Sequence, residues 1–151
     1  MSEELKLNEN VSAPQPDALA RIARKDDFLQ QLQEFLAQHK GENWCVAAID
    51  IEHFKLYTEL YGAQQAHSLM LSLTALLLEH GKATDSPVGY FGSDDFVLCL
   101  PDDKEQQLAI ISQLQTCVNN HRQDVSSFLS FGVCPVAEHP DADAQTLCSY
   151  A

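Results

Sequence analysis

Two short apolar runs separated by a four-residue turn place the strongest constraint on the fold of this chain. The runs are residues 88–91 and 96–100, and Gly-Ser-Asp-Asp lies between them at 92–95. Runs of this length are too short for stable helices, and the linker has the chemistry of a tight turn. The pattern therefore predicts an antiparallel hairpin with two adjacent carboxylates at its tip.

Apolar residues elsewhere in the chain recur at spacings that indicate two more strands and four helices. Residues 44–49 form a continuous apolar run that stops at Asp50, which is typical of a buried strand with an acidic residue at its exit. Residues 128–133 form a later strand-like run. The helical spacing predicts four helices, over residues 17–38, 52–80, 101–120 and 141–150. Asp17 is the expected N-cap of the first helix, and Gly81 is expected to end the second.

This order of elements predicts an α+β fold of the ferredoxin-like or nucleotidyl-cyclase-like plan. Its central sheet is expected to be mixed, to contain antiparallel strands and to carry packed helices. At 151 residues the chain is long enough for one hydrophobic core. We expect one domain over residues 17–151, truncated inside its last helix, and a flexible polar leader over residues 1–16.

The acidic composition limits the classes of partner. The chain has 9 Lys and Arg residues against 22 Asp and Glu residues, which gives a formal net charge of −13. Binding to nucleic acid requires clustered Lys and Arg, so we expect no nucleic-acid partner. No apolar run approaches the roughly 20 residues that span a bilayer, so we expect no membrane segment in this chain. Five cysteines without a C-x-x-C pair indicate the reduced thiols of a cytoplasmic protein.

Neighbouring strands of one sheet are expected to bring three carboxylates to the same edge. They are Asp50 and, on the hairpin turn, Asp94 and Asp95. Such a cluster repels itself unless a cation lies inside it, and oxygen ligands favour Mg²⁺ completed by water and substrate phosphates. The first amides of the following helix, with Lys55, would add phosphate-binding groups. A second interpretation stays open, in which Asp50 caps that helix and the turn carboxylates are solvated.

Four landmarks of the chain, in this order, resemble the GGDEF (diguanylate cyclase) domain family. Residues 17–28 resemble its opening D-x-L-T-x-L-x-N-R-x-x-F. Residues 50–55, followed by Tyr-Gly at 61–62, resemble D-I-D-x-F-K-x-x-N-D-x-x-G-H-x-x-G-D. The turn Gly-Ser-Asp-Asp-Phe at 92–96 occupies the place of G-G-[D/E]-E-F, and residues 130–133 resemble the late S-x-G-V strand.

The resemblance implies a cyclase-like sheet and a reaction that joins two GTP molecules into cyclic di-GMP across a domain dimer. In that reaction a 3′-hydroxyl attacks the α-phosphate of the other nucleotide, assisted by Mg²⁺ and a carboxylate. The implied roles are metal binding by Asp50, the Ile51 carbonyl and Asp94, phosphate contacts by Phe54 and Lys55, and catalysis by Asp95.

The chain departs from the family pattern mainly at the functional edge. Ser93 replaces the second glycine of the turn, which is expected to restrict a positive φ, and Asp95 replaces a glutamate. Thr58 and His67 stand where the pattern has the Asn and Asp that contact guanine, and Tyr90 stands where it has an arginine. The departures predict weak base selectivity and impaired catalysis.

We therefore expect a degenerate GGDEF domain that is a regulatory, nucleotide-binding or dimerisation module of a bacterial cyclic di-GMP signalling protein. Two alternatives remain open: an active diguanylate cyclase that uses Mg²⁺, and a protein-interaction scaffold without a ligand. The expected partners are GTP or another nucleotide, a second copy of the domain, and a sensor or phosphodiesterase domain of the same full-length protein.

Overall fold

A four-stranded antiparallel sheet organises the protein, whose computed structural model describes residues 18–121 and 129–151. Within these ranges the strands are β1 (Trp44–Ile51), β2 (Val88–Gly92), β3 (Asp95–Pro101) and β4 (Leu129–Pro135). The helices are α1 (Ala18–Arg21), α2 (Lys25–Gln38), α3 (Phe54–Tyr61), α4 (Ala63–Thr84), α5 (Lys104–His121) and α6 (Ala144–Tyr150). This architecture confirms the predicted α+β class, but the strand pairs of the described sheet are all antiparallel rather than mixed.

The strand order β2-β3-β1-β4 places β1 in the interior of the sheet. β1 pairs antiparallel with both neighbours, so that Ile49 lies opposite Phe96 on β3 and Phe131 on β4. One residue further along the same registers, Asp50 lies beside Ser130 on β4 and is brought towards Asp95 on β3. The sheet therefore delivers acidic residues from two adjacent strands to one edge.

Both faces of the sheet are covered, which explains the continuous apolar run of β1. On one face Ala47 and Ile49 pack against buried leucines of α4 and α5, among them Leu73 and Leu114. On the other face Val46 packs with residues of α2 and α6. The fully buried residues of this second core are Val46, Phe28, Leu32, Cys99 and Leu147. Each fully buried large apolar side chain contributes about 1.5–3 kcal/mol to folding.

The helix predicted over residues 17–38 is wrong as one element, because the chain breaks between Arg21 and Lys25. In the break, Ala23 forms a parallel bridge with Gly89, and its carbonyl accepts a hydrogen bond of 2.9 Å from the Tyr90 amide. Pairing with the open edge of β2 therefore replaces helical hydrogen bonding here. The predicted N-cap Asp17 and the strand residue Phe128 lie outside the described residues.

The helix predicted over residues 52–80 is also two helices. Gly62 has φ +93°, a conformation that favours glycine, and it separates α3 from α4. Gly81 does not end the second helix, which continues to Thr84 and stops at Asp85 in the left-handed region. Instead Gly81 allows close packing, because a Cβ there would lie 2.9 Å from the Ser86 carbonyl oxygen.

Two further helix starts differ from the prediction. Pro101 is the last residue of β3, and α5 begins at Lys104 behind Asp103, whose carboxylate accepts a hydrogen bond from the Glu105 amide at 3.0 Å. The last helix begins at Ala144 rather than at residue 141. Its start is fixed by the N-cap Asp143, which accepts a bond of 2.9 Å from the Thr146 amide. The capping carboxylates decide both positions.

All five cysteines carry free thiols, as the sequence predicts. Three of them, Cys45, Cys99 and Cys134, are buried in the core. None of the helices in the described parts of the chain has the length and apolar character that crossing a membrane requires.

Candidate functional site

Three carboxylates meet where β1 ends and the β2–β3 hairpin turns. Asp50 is near the end of β1, Asp94 lies in the turn and Asp95 is the first residue of β3. One carboxylate oxygen from each lies within 4.8 Å of the other two. Asp50 and Asp94 are half-buried, whereas Asp95 is exposed. The antiparallel pairing of β1 with β3 thus brings together residues that are more than forty positions apart in the chain.

Asp94 is held at both of its carboxylate oxygens. The Ile51 amide donates a hydrogen bond of 2.8 Å to Oδ2, and the Ser93 hydroxyl donates one of 3.2 Å to Oδ1. Hydrogen bonds to a charged acceptor are stronger than neutral ones and fix its orientation. Ile51 therefore contributes its amide to the geometry of the turn, while its side chain is buried in the core.

The turn has an unusual backbone for its sequence. Ser93 adopts φ +54°, next to Gly92 at φ +109°. The expectation that a serine would keep this position out of the positive-φ region is therefore wrong. A non-glycine residue in the left-handed region costs about 1–2 kcal/mol. The Tyr90 hydroxyl donates a hydrogen bond of 2.7 Å to the Ser93 carbonyl and helps to support this conformation.

The electrostatics of the cluster favour a cation. Burial raises the pKa of Asp50, and the neighbouring Asp94 and Glu52 raise it further, against a hydrogen bond from Ser130 that lowers it. Burial likewise raises the pKa of Asp95, with further contributions from Asp94 and Asp50. The raised carboxyl pKa values mean that burial, and to a smaller extent the neighbouring carboxylates, disfavours the ionised forms, which a bound cation would favour again.

A cavity of about 330 Å³ adjoins the cluster on the face of the sheet that α6 covers. Asp50, Asp95 and Ser130 contribute its polar lining, and Phe91 is among its apolar wall residues. The sequence pattern places Ser130 in a strand and gives it no role in the site. The signal for it was the S-x-G-V segment, whose serine lies opposite Asp50 in the register of β1 and β4.

The residues expected to contact phosphate lie on α3. Phe54 is half-buried and packs against the core, whereas Lys55 is exposed in the first turn. The residue before the helix, His53, has φ +61° and makes no side-chain hydrogen bond as a cap. At its middle α3 is anchored by the buried Tyr57, whose hydroxyl donates a hydrogen bond of 2.6 Å to the His121 carbonyl.

The two residues that stand at the guanine-contacting positions of the family pattern lie on different helices, which meet at Gly62. Thr58 on α3 is half-buried, and its hydroxyl donates a hydrogen bond of 2.9 Å to the Phe54 carbonyl. His67 on α4 is exposed. Neither residue lines the cavity beside the carboxylates.

Comparison with known proteins agrees with this architecture. The family model described as "Diguanylate cyclase, GGDEF domain" matches residues 15–151. No relative among the curated proteins matches the chain.

Three of the similar solved structures come from different bacteria. The GGDEF domain of DgcB from Caulobacter crescentus, in complex with c-di-GMP, is 16% identical with a TM-score of 0.67, over 85% of this chain and 80% of that one. The active GGEEF domain of a diguanylate cyclase from Vibrio cholerae is 19% identical with a TM-score of 0.66, over 82% and 81%. The GGDEF domain of YfiN from Pseudomonas aeruginosa is 20% identical with a TM-score of 0.66, over 87% and 86%.

At these identities the structural likeness shows the fold, which is the GGDEF nucleotidyl-cyclase-like fold that the sequence predicts. The family match extends over nearly the whole chain and includes both the end of β1 and the acidic hairpin turn. The chain therefore belongs to the GGDEF domain family of diguanylate cyclases, the family of cyclic di-GMP signalling.

Proposed function

We propose that this GGDEF domain binds a nucleoside triphosphate with Mg²⁺ and has weak or no diguanylate cyclase activity. In this proposal it is a regulatory or dimerisation module of a cyclic di-GMP signalling protein. The observation that supports the proposal most directly is the meeting of Asp50, Asp94 and Asp95 within 4.8 Å of one another.

The carboxylate oxygens fit Mg²⁺, which prefers hard oxygen ligands and keeps several waters. Asp50, Asp94 and the Ile51 carbonyl would hold the ion, and the ion would offset the charge of the substrate phosphates. Asp94 suits this role because two hydrogen bonds already fix its carboxylate. The raised pKa values of Asp50 and Asp95 come first from burial and then from the neighbouring carboxylates, and the ion would offset both effects.

The start of α3 supplies the groups proposed to bind the phosphates. The first amides of a helix have no partner within the helix, and their dipoles attract anions. His53 does not cap them with its side chain. Lys55 would bring a positive charge from the exposed side of the first turn, and Phe54 would contribute its backbone amide.

Asp95, which stands at the catalytic position of the family pattern, supports a low rate of cyclisation. Asp95 is shorter than glutamate by one methylene, so its carboxylate is retracted by about 1.5 Å, and a misplacement of about 1 Å can lower a rate roughly a hundredfold. Ser93 adds a side chain and backbone strain to the same turn. These features support binding without efficient turnover.

Discrimination between bases is also expected to be weak. The Thr58 hydroxyl donates its hydrogen to the Phe54 carbonyl, so that only its oxygen lone pairs are left for a base. The exposed His67 does not present the carboxylate that accepts the guanine hydrogens in the family pattern. Loss of a partner for a buried polar group costs about 1–3 kcal/mol, and the GTP preference should fall accordingly.

The wider context of the domain is proposed on the family resemblance. We propose that residues 17–151 form the GGDEF domain, which the family match over 15–151 supports, and that residues 1–16 are a leader. A second copy of the domain and a sensor or phosphodiesterase domain of the same protein are the proposed partners. The proposed location is the cytoplasm.

Calorimetric titration tests the proposal directly. Slowly hydrolysed GTP and ATP analogues are added with and without Mg²⁺ to the wild type, to Asp94→Ala and to Asp141→Ala as an exposed acidic control. We expect Mg²⁺-dependent binding of both analogues, lost in Asp94→Ala and kept in Asp141→Ala. A folded wild type that binds neither analogue would contradict the proposal and leave the scaffold alternative.

The active-enzyme alternative is favoured by one observation: Asp95 lies within the carboxylate cluster and can accept a proton. Incubation with GTP and Mg²⁺, followed by mass spectrometry for cyclic di-GMP, separates the two. Product that disappears in Asp95→Asn would establish a cyclase.

A further inference from the structure

Tyr90 on β2 makes a second contact between the acidic turn and the sheet, besides the bond from the Ile51 amide to Asp94. Its hydroxyl donates a hydrogen bond of 2.7 Å to the Ser93 carbonyl across the tip of the hairpin. The Ser93 carbonyl and the Asp94 amide belong to one planar peptide unit. A hydrogen bond that fixes the Ser93 carbonyl therefore also fixes the orientation of the Asp94 amide.

Tyr90 is held at its backbone and at its ring, so that its hydroxyl reaches the turn from a fixed position. Its backbone amide donates a 2.9 Å hydrogen bond to the Ala23 carbonyl. The Arg24 guanidinium carbon lies 5.1 Å from the centre of the Tyr90 ring, within the range of a cation–π contact. On the hairpin itself, the Phe96 ring centre is 5.1 Å from the Tyr90 ring centre.

The turn needs such a contact because of Ser93. Its φ of +54° is disfavoured for a residue with a Cβ, so a freed turn would relax toward other conformations. Relaxation would move Asp94 and its neighbour Asp95, whose carboxylate oxygens lie within 4.8 Å of that of Asp50 in the present conformation. The Ser93 hydroxyl, bonded to Asp94 at 3.2 Å, would move with them.

We propose that Tyr90 is a positioning residue for the metal site. Its hydroxyl holds the peptide between Ser93 and Asp94 so that the turn carboxylates face Asp50. Tyr90 also couples the connector between α1 and α2 to the site, because its backbone amide bonds to Ala23 and its ring contacts Arg24. The proposal rests on the metal site of the proposed function. It is a property of this chain, because Tyr90 stands where the resembled pattern has an arginine.

The test measures Mn²⁺ affinity, by electron paramagnetic resonance of the free ion, in the wild type, in Tyr90→Phe and in Tyr150→Phe. Tyr90→Phe keeps the ring and removes only the hydroxyl, and Tyr150 is an exposed tyrosine whose ring packs against His139. Loss of one hydrogen bond predicts affinity about fivefold weaker in Tyr90→Phe. Tyr150→Phe should bind as the wild type does.

A second substitution distinguishes positioning from a general structural effect. Adding Ser93→Gly to Tyr90→Phe should restore part of the lost affinity, because glycine adopts a positive φ without a Cβ penalty, whereas the Ser93 hydroxyl bond to Asp94 is lost. Equal affinity of Tyr90→Phe and Tyr150→Phe would overturn the proposal. So would a double variant that stays as weak as Tyr90→Phe.

Amide hydrogen exchange of the metal-free protein keeps this test separate from that of the metal site. We expect Asp94 and Asp95 to exchange faster in Tyr90→Phe than in Tyr150→Phe. A wild type that binds no Mn²⁺ would refute the proposed metal site, and the exchange data would then decide alone whether Tyr90 holds the turn. Unchanged exchange at both residues would refute the role of Tyr90.

Discussion

The strands of the β2–β3 hairpin and its tip differ in what they contribute. Residues 96–100 on β3 are between 0 and 4% exposed and pack into the core from both faces of the sheet. The tip carries a serine with positive φ and two carboxylates, one of which has a raised pKa. Stability therefore comes from the strands, whereas the tip keeps a conformation and a charge pattern that oppose folding unless a ligand binds.

The largest effect should come from the strands. Leu98→Ala removes a fully buried side chain from the core between the sheet, α4 and α5, and should lower the free energy of unfolding by about 2–5 kcal/mol. Urea denaturation measures the change. Leu108→Ala is the matched control, because that leucine is 58% exposed and its loss should change stability by less than about 0.5 kcal/mol. Similar losses in the two variants would contradict the assignment of stability to the strands.

Metal addition should stabilise the tip by a smaller amount. At a Mg²⁺ concentration ten times its dissociation constant, binding to the folded state alone adds about 1.4 kcal/mol to the free energy of unfolding. Denaturation with and without Mg²⁺ measures this gain. We expect it to vanish in Asp94→Ala and to persist in Leu98→Ala once that variant is folded. A gain that survives Asp94→Ala would place the ion elsewhere.

Relief of backbone strain at the tip should have a still smaller effect. Ser93→Gly should raise the free energy of unfolding by about 0.5–1 kcal/mol, because glycine tolerates the observed φ. Ser112→Gly provides the control on an exposed position of α5, where glycine should cost about 0.5 kcal/mol. Opposite signs for the two substitutions are the expected result of thermal or urea denaturation. A loss of stability in both would show that Ser93 is not strained.

The pH dependence of the tip should be the smallest effect. Asp50 and Asp95 have raised pKa values in the folded state, so the folded protein binds more protons than the unfolded chain in the carboxyl range. Their destabilisation is thus present above the folded pKa values and is removed as the pH falls through them. In metal-free protein, Asp95→Asn should be more stable than the wild type at neutral pH, and the difference should shrink on acidification. A stability difference between Asp95→Asn and the wild type that stays constant with pH would contradict the raised pKa of Asp95.

The sequence predicts the strands, the core and the meeting of the three carboxylates, because periodicity and strand order carry that information. It does not predict the helix breaks. The break around Ala23 depends on pairing with Gly89, which is distant in the chain, and the break at Gly62 depends on a φ value that glycine allows but does not require. The bond from Tyr90 to Ser93 depends on side-chain direction across a turn, which no spacing reveals.

The two-sided burial of β1 has a consequence for how such a site can change. Side chains along a strand alternate between the faces, so inserting or deleting one residue between Val46 and Asp50 would turn the acidic side chain toward the core formed with α4 and α5. The number of residues in the strand is therefore as restricted as their apolar character. Substitution can alter or abolish the chemistry at Asp50 while leaving the fold intact, but the acidic group cannot move along the strand.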